Sequence, residues 1–342
     1  MNSWRFLLRD LIRAMLLRSG GFRFRERISR RILLSLLYGY RASALLHVAA
    51  QLGIADLLSN GPRSSRELAQ SVGADARSMH RFLRGLVVYG ICGEEPDGRF
   101  RITRLGTWLQ ERKPRSVRGR AIRCGENYLA WGNLMHSVMT GEAAFNRVFG
   151  DNVWNYRMRS PDLDESFNRA FHEEAGRIAR EIVAVYDLSS VRTLADIGGS
   201  YGALLAAILK RRPSINGLLF DQPHVIAKAP SYLKESGVLE RCRIFAGDFL
   251  EEVPDGADLY ILKSVLHDWD DRQSQRILKN CRRVLKEKSK LIAIERIMPD
   301  RAQRNPEAVL LDLQMLAVTG GRERNATEFR SLFESAGLAL TR

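Results

Sequence analysis

The sequence predicts an α/β protein in which a doubly wound, Rossmann-like domain follows a helical domain of winged-helix type. From about residue 188, short apolar runs of strand character alternate with helical patterns, as in a parallel sheet covered by helices on both faces. A glycine-rich turn, Gly198–Gly202, stands between the first of these runs and a helical pattern. Before it, residues 39–112 follow the order helix, helix, helix, hairpin. Together these features predict two domains of different architecture.

Composition limits the class of protein. The chain has 342 residues, of which 45% are hydrophobic and 27% are charged, as in a globular protein with full cores. No uninterrupted apolar run approaches the roughly 18 residues that a membrane-spanning helix needs. The cysteines at 92, 124, 242 and 281 form no C-x-x-C pair. We therefore expect reduced thiols, no metal site and a cytoplasmic enzyme.

Residues 1–38 are predicted to form a basic N-terminal extension. Residues 1–41 hold ten arginines against two acidic residues, a net charge of +8, whereas the whole chain carries +15. Apolar residues recur with helical spacing over residues 5–16, and Arg5, Arg9 and Arg13 lie four apart, which predicts a basic amphipathic helix. Three interpretations stay open: packing on a partner subunit, weak contact with a membrane surface or another anionic partner, and an organelle transit peptide.

Residues 39–112 are predicted to form the winged-helix domain. An apolar helical pattern covers residues 42–58. Ser64 and Glu67 have the spacing of a capping box, which predicts a helix from there to about residue 72. Asp75 is placed to cap a third helix that reaches Tyr89. Extended runs on either side of Glu95-Pro-Asp-Gly98 complete the domain with a hairpin.

A nucleic-acid-binding function is the alternative from another class. A winged helix with Arg77, Arg81 and Arg84 on its third helix, in a basic chain, is compatible with a DNA-binding regulator. Salt-dependent DNA binding without affinity for a small-molecule cofactor would favour it. We expect no nucleic-acid partner.

The remaining chain is predicted to form a helical connector over residues 113–187 and the Rossmann-like domain over residues 188–342. The connector is rich in aromatic residues, and we expect a broad aromatic surface from Trp131, Phe145, Phe149, Trp154 and Tyr156. The predicted strands are Thr193–Ile197, Gly217–Phe220, Arg243–Ala246, Asp258–Lys263 and Leu291–Glu295, and a further strand is expected to begin at Leu338.

Polar and glycine residues follow the first three of these strands. Gly198 opens a turn in which the backbone can approach a ligand closely, and the helix after it offers unpaired N–H groups. Asp221 closes the second strand 19 residues after Gly202, where doubly wound folds place an acid on ribose hydroxyls. Asp248 and Phe249 follow the third strand and could supply a polar contact and an aromatic wall for an adenine ring. The pattern predicts a nucleotide-type cofactor site.

A histidine among acids follows the fourth strand. In the segment Lys263–Asp271, His267 precedes a run of three aspartates interrupted by a tryptophan. Core filling explains such a residue poorly, so His267 is a candidate functional residue. The other five histidines are expected to have structural roles.

Six motifs in order resemble one known family: Asp196–Gly202, Phe220–Val225, Gly247–Phe249, Leu266–Asp271, Ile294–Pro299 and Gly320–Arg324. Over about residues 38–342 the chain resembles the S-adenosylmethionine-dependent O-methyltransferases that act on caffeate, flavonoids, hydroxyindoles and bacterial polyketides. The resemblance implies transfer of a methyl group from S-adenosyl-L-methionine to a hydroxyl of a small aromatic acceptor. It also implies a homodimer, because the winged-helix domain is the dimerisation module of that family. Ser200 departs from the family pattern, which has a glycine there.

The resemblance also implies roles for single residues. Gly198, Asp221, Asp248, Phe249 and Lys263 match cofactor-contacting positions. His267 matches the base, and Glu295 and Glu323 match the carboxylates that bracket it. Met315 matches a residue that grips the acceptor, and Trp131 fits the connector pattern beside it.

Physical chemistry agrees with an aromatic hydroxyl as acceptor. A phenol has a pKa of about 10 and imidazole one of about 6.5, so full proton transfer is uphill by about 5 kcal/mol. A neighbouring carboxylate narrows that difference because it favours the imidazolium. An alternative keeps the fold and cofactor but transfers methyl to nitrogen, or catalyses a reaction without methyl transfer.

Overall fold

The computed structural model describes residues 22–159 and 175–341 of the chain. These residues divide into two compact units, Met1–Tyr128 and Leu129–Arg342. The predicted basic helix over residues 5–16 lies outside the described residues.

The first unit contains five helices, one two-stranded sheet and the beginning of a sixth helix among its described residues. The elements are α1 (Phe22–Leu37), α2 (Tyr40–Gln51), α3 (Ile54–Leu57), α4 (Ser65–Val72), α5 (Ala76–Val88), β1 (Cys92–Glu94), β2 (Phe100–Ile102) and α6 (Arg118–Gly132), with a 3-10 turn at Gly106–Leu109.

Local sequence signals explain where these helices begin and end. Ser64 and Glu67 form the predicted capping box, and Asp75 caps α5 through the backbone N–H of Ser78. The predicted continuous helix over residues 42–58 is wrong, because Gly53 adopts a left-handed conformation with φ 63° and separates α2 from α3. The hairpin pairs β1 and β2 in the antiparallel sense.

One stretch of the first unit has the length and composition of a membrane span. The helical stretch Ser29–Gln51 is 23 residues long, and only 11% of its most apolar window is buried. The expectation that no segment is long and apolar enough to span a membrane was therefore wrong in terms of length and composition. A turn at Tyr38–Gly39 separates α1 from α2 within it.

The second unit contains the large sheet. Its elements are α7 (Leu134–Thr140), α8 (Ala144–Phe149), α9 (Val153–Met158), α10 (the described helical residues 175–185), β3 (Thr193–Ile197), α11 (Ala203–Arg211), β4 (Asn216–Asp221), α12 (Pro223–Ile226), α13 (Ala229–Glu235), β5 (Cys242–Ala246), β6 (Leu259–Lys263), α14 (Asp271–Val284), β7 (Lys290–Ile294), α15 (Pro306–Val318) and α16 (Ala326–Ser335). Short 3-10 turns lie at Leu239–Arg241, Leu266–Asp268 and Ala302–Arg304.

All five strands of this sheet are parallel, in the order β5-β4-β3-β6-β7. The chain starts at β3, builds one half of the sheet through β4 and β5, and then returns to the other side of β3. This reversal leaves a crevice beyond the carboxyl ends of β3 and β6, where open α/β sheets bind ligands.

Two buried clusters lie on the two faces of the sheet. Leu194 and Ile261 belong to one cluster, while Ala195 and Leu262 belong to the other. Neighbouring residues of one strand therefore pack on opposite faces, as the period of two along a strand requires. The central strands β3, β4 and β6 are mostly buried, whereas the edge strands β5 and β7 contain only partly buried and exposed residues.

The carboxyl-terminal residues differ from the prediction. Residues 338–341 form no strand, so the expectation of a strand beginning at Leu338 was wrong. The four cysteines at 92, 124, 242 and 281 are free, as expected.

Candidate active site

A deep cavity lies at the carboxyl ends of β3, β4 and β6. Its empty volume, counted together with the solvent-filled mouth, is about 1080 Å³. Its described walls are Trp154, Arg157, Ala175, Asp196, Gly198, Gly199, Ser200, Ala203, Leu204, Asp221, Gln222, His224, Val225, Phe249, Lys263, Ser264, Val265, Asp268 and Trp269.

Glycine is required where β3 enters this cavity. Gly198 has φ 70°, and its N–H donates to the carbonyl of Phe220 at 2.8 Å. A methyl group at this position would lie 3.0 Å from Cγ2 of Val265 and 3.4 Å from Cε1 of Phe249. The turn therefore brings bare backbone to the cavity wall, as close approach to a ligand requires.

Ser200 stands where the family pattern has a glycine, and the loop Gly198–Gly202 nevertheless makes its turn there. Ser200 adopts a left-handed conformation with φ 57°, which a serine adopts less readily than a glycine. Its N–H donates to Oδ2 of Asp221 at 2.7 Å, and Oδ1 of Asp221 accepts from Gln222 N at 2.7 Å. The carboxylate at the end of β4 therefore fixes the loop at the end of β3.

Four of the five predicted cofactor residues line the cavity: Gly198, Asp221, Phe249 and Lys263. Phe249 packs edge-on against Trp269, with ring centroids 5.8 Å apart, so the aromatic wall is itself supported. Asp248 is not among the lining residues, and its Oδ1 accepts from Leu250 N at 2.8 Å. In this structure Asp248 stabilises the turn after β5.

Asp196, which we had not predicted as a site residue, also lines the cavity. It is 2% exposed, and its Oδ2 has no hydrogen-bond partner among the described residues. Burial raises the pKa of this carboxyl to about 7, although the nearby Lys263 opposes the rise. An unpartnered buried carboxyl fits a cationic group of a ligand, and S-adenosylmethionine carries both an ammonium and a sulfonium.

His267 lies on the 3-10 turn Leu266–Asp268 that follows β6. Its Nδ1 is 2.8 Å from Oε1 of Glu323 and 3.7 Å from Oε2 of Glu295. Its Nε2 is 3.8 Å from Oδ2 of Asp268. The three predicted catalytic residues are therefore brought together, although they come from distant parts of the chain.

The electrostatics of this trio favour a protonated imidazole. Burial of His267 lowers its pKa, but Asp268, the hydrogen bond to Glu323 and the charge of Glu295 outweigh burial and raise the pKa to about 9. Burial raises the pKa of Glu295 to about 7, against the opposing effect of His267. The acids around the ring therefore favour the imidazolium over the neutral imidazole at neutral pH.

Backbone contacts fix the trio. Oε1 of Glu295 accepts from the N–H groups of Val265 and Leu266, at 3.0 and 2.8 Å. Asp312 Oδ1 accepts from Glu323 N at 2.8 Å. The loop before Glu323 also packs tightly here, since a methyl group at Gly321 would lie 2.1 Å from the carbonyl oxygen of His267.

The same trio has the spacing of a metal site. One ligand atom from each of His267, Glu295 and Glu323 lies within 4.8 Å of the others. The expectation of a metal-free enzyme stays a prediction.

The predicted acceptor residues lie apart from the cofactor cavity. Trp131 donates its indole N–H to Oε1 of Gln314, and the neighbouring Met315 is buried. Neither Trp131 nor Met315 lines the cavity, and no sequence pattern marks Gln314 as a site residue.

The expected aromatic surface of the connector is largely internal. Phe145, Phe149 and Tyr156 pack on one another with centroids 4.3 to 5.4 Å apart, and Phe145 is fully buried. Trp154 packs beside this cluster but also reaches the cavity, where it stacks against Trp269.

Sequence reasoning also missed other residues in the cavity wall. Asp268 and Trp269 directly follow His267, so their position was a usable signal. Trp154 and Arg157 come from α9, more than 100 residues away, and no local pattern marks them as site residues.

Comparison with known proteins agrees with this fold and site. Residues 131–339 match the model of the O-methyltransferase domain, and residues 34–112 match the O-methyltransferase dimerisation domain. A phenazine O-methyltransferase of Lysobacter antibioticus is 43% identical over 91% of this chain and 91% of its own. A phenazine-1-carboxylate N-methyltransferase of Pseudomonas aeruginosa is 32% identical over 91% of this chain and 92% of its own.

A solved structure carries both ligands of such a reaction. An O-methyltransferase of neocarzinostatin biosynthesis, in complex with S-adenosylmethionine and 2-hydroxy-5-methyl naphthoic acid, superposes with a TM-score of 0.79. It is 29% identical and covers 88% of this chain and 92% of its own.

The parallel sheet, its cofactor cavity and the buried histidine define a Rossmann-like methyltransferase. The chain belongs to the family of S-adenosylmethionine-dependent O-methyltransferases, with that family's dimerisation domain at its N-terminal side. It is an enzyme that transfers methyl groups from S-adenosylmethionine to hydroxyls of small aromatic acceptors.

Proposed function

We propose that His267 is the general base that removes the proton from the acceptor hydroxyl. The observation that carries this proposal is the 2.8 Å hydrogen bond between His267 Nδ1 and Glu323. With the Nδ1 proton held by Glu323, Nε2 is the nitrogen that can accept a proton. His267 also lies between Val265 and Asp268, which both line the cofactor cavity.

The magnitudes suit a phenolic acceptor. With a pKa near 9, the imidazolium of His267 is about one pKa unit more acidic than a phenol, which is about 1.4 kcal/mol. For an unperturbed imidazole that difference would be about 5 kcal/mol. The acids around His267 therefore remove most of the cost of proton transfer within the site.

The cofactor would be held by the residues of the cavity. Bound S-adenosylmethionine supplies the sulfonium methyl that is transferred. Asp221 would accept from ribose hydroxyls, and Phe249 would cover the adenine ring, with Asp248 as its polar neighbour. Gly198 would let the backbone approach the cofactor closely, and Lys263 is the fifth residue proposed to contact it.

We propose a fused-ring phenol as the acceptor, gripped by Met315 and Trp131. Two observations support this class. Trp131 is oriented by its hydrogen bond to Gln314, next to Met315 on α15. The relatives named above act on a phenazine or bind a naphthoic acid.

Mass spectrometry of acceptors incubated with the cofactor tests this proposal. Hydroxyphenazines and hydroxynaphthoates should gain one methyl group, whereas matched aliphatic alcohols should not. Amino analogues of the same rings test the alternative of nitrogen transfer, for which one relative provides a precedent. Methylation of the amines but not of the phenols would contradict the proposal.

We further propose a cytoplasmic homodimer. The dimerisation-domain match over residues 34–112 supports a pair formed through the N-terminal domain. The apolar residues Leu33, Leu36 and Leu37 of α1 are 59 to 65% exposed in the single chain, as residues covered by a partner would be. The predicted boundaries near residues 38, 112 and 187 stay predictions, as do weak membrane contact of residues 1–38 and the absence of a nucleic-acid partner.

A further inference from the structure

Arg324 has the largest fully buried side chain among the described residues, and it is 1% exposed. A buried guanidinium is costly unless each donor finds an acceptor. Three polar groups around it meet that requirement: its Nη1 donates to the carbonyl of Leu266 at 2.8 Å, its Nη2 to the carbonyl of Trp269 at 2.9 Å, and its Nε to Oδ1 of Asp271 at 2.9 Å. Each of the three guanidinium nitrogens therefore has an acceptor, as a buried arginine requires.

The two carbonyls stand on either side of His267. Leu266 immediately precedes the histidine in the chain, and Trp269 follows it by two residues. The guanidinium therefore clamps the short turn that carries the base at both of its ends, while Ser274 at 3.2 Å ties it to the start of α14.

The same residue is covalently joined to the carboxylate that orients the base. Glu323 precedes Arg324, and its Oε1 contacts His267 Nδ1 at 2.8 Å. The carbonyl of Arg324 also accepts from Met298 N at 3.0 Å, in the segment that follows Glu295. One backbone position thus connects the segments that supply all three members of the trio.

We propose that Arg324 is a positioning residue that fixes the turn Leu266–Trp269 at the distance from Glu323 that holds His267 as the base. This inference rests on the assignment of His267 made above. A displacement of about 1 Å at a reacting group costs on the order of 100-fold in rate. Lysine keeps the charge but cannot reach two carbonyls and a carboxylate at once.

The test compares Arg324→Lys with the matched control Arg322→Lys. Arg322 also pairs with Asp271, at 3.5 Å, but its side chain is 44% exposed and no hydrogen bond to the turn is found for it among the described residues. We expect kcat to fall about 10- to 100-fold in R324K and to stay within about twofold in R322K. Melting temperatures establish that both variants are folded at the assay temperature.

The pKa of His267, measured by NMR of the labelled imidazole, reports specifically on the position of the turn relative to Glu323. Asp268, Glu295 and Glu323 are the charged groups that face the ring. If the turn moves away from Glu323, the pKa should fall toward the ordinary value of histidine. In Arg324→Ala, added guanidinium at millimolar concentration should restore part of kcat, because it can occupy the space left behind.

The outcomes separate the two assignments. A folded R324K with unchanged kcat and unchanged His267 pKa overturns the role of Arg324, and leaves the base intact if His267→Ala is inactive. An active His267→Ala instead overturns the proposed function. If neither Arg324 variant folds, Asp271→Asn provides the test, because the side chain of Asp271 is 63% exposed and pairs with Arg324. A lower kcat together with a lower pKa of His267 in this variant supports the proposed role of Arg324. Wild-type values of both in D271N overturn it.

Discussion

Nδ1 of His267 and Oε1 of Glu323 lie 2.8 Å apart although 56 residues separate them in the chain. The hydrogen bond fixes the ring, and the buried carboxylate favours the imidazolium over the neutral imidazole. With His267 as the proposed base, the free enzyme would hold it mainly protonated at neutral pH, and proton loss from His267 would control how much enzyme is competent.

Removal of the base should reduce turnover while cofactor binding persists. We expect His267→Ala to lower kcat by about 10² to 10⁴, the range for loss of a general base. The dissociation constant for S-adenosylmethionine, measured by calorimetry, should change little. His80→Ala is the control, because His80 packs edge-on against Phe100 in the first unit. Near-normal turnover of H267A would refute the assigned role.

The pH dependence should report the raised pKa of His267. Only enzyme molecules with a neutral His267 should be active, and their fraction rises with pH until the pKa of His267 is reached. We therefore expect kcat/KM for the acceptor to rise about tenfold per pH unit from about pH 6.5 and to level off near pH 9. Glu323→Gln removes one of the acids, so its plateau should begin at lower pH. Identical profiles for the two enzymes would count against the electrostatic role of Glu323.

The same shift has a consequence for stability. Because the folded pKa of His267 lies above the unfolded value of about 6.5, its stabilising effect is complete below that pH and disappears as the pH rises through about 9. Melting curves at pH 6 and pH 10 should therefore show wild type losing stability relative to E323Q. A difference between the two proteins that does not vary with pH contradicts the linkage.

Asp221 should contribute to cofactor affinity. A hydrogen bond to a charged group is worth about 1.5 to 3 kcal/mol, so Asp221→Ala should weaken cofactor binding by about 10- to 150-fold. Because Asp221 also accepts from the N–H of Ser200, Asp221→Asn serves as the matched variant that retains an acceptor for the loop. An unchanged dissociation constant in D221A would exclude the contact with ribose.

The carboxylate of Asp196 should lower the stability of the folded enzyme but strengthen cofactor binding. The carboxyl is buried without a hydrogen-bond partner for Oδ2, and its pKa is raised to about 7, so its ionisation above that pH opposes folding. We expect Asp196→Asn to raise the melting temperature at pH 8 but not at pH 5, and to weaken cofactor binding. A lower melting temperature at pH 8 would show that the charge is compensated in the free enzyme.

Turnover should not depend on a divalent metal ion. Although the spacing of the trio would accommodate a cation, the imidazole nitrogen that faces the carboxylates is already hydrogen-bonded to Glu323. Dialysis against EDTA should leave kcat unchanged. Activity that is lost on chelation and restored by Zn²⁺ or Mg²⁺ would contradict this expectation.

The sequence predicts the sheet well because its strands form short apolar runs, and the central strands β3, β4 and β6 are mostly buried. The predicted β3 agrees with the structure at both ends, and the other four strands agree within one residue at each end. Helix ends were predictable where a side chain caps them, as at Ser64 and Asp75. Gly53 shows the limit, since one glycine in a left-handed conformation divides an apolar pattern that looked continuous.

The candidate site was predictable where its residues follow strands, and less so elsewhere. Gly198, Asp221 and His267 stand at strand ends, so topology alone brings them to one edge of the sheet. Arg324 and Gly321 act through backbone carbonyls and close packing, and neither leaves a periodic signal. Asp196 looked like an ordinary strand residue, and only its burial without a partner distinguishes it.

His267 and Glu295 follow strands of the sheet, whereas Trp131, Gln314 and Met315 belong to helices α6 and α15. With the roles proposed above, substitutions along those helices would reshape the space offered to an incoming ring without displacing the base. A lineage built on this scaffold would then change its substrate in single mutational steps while the underlying reaction is inherited intact.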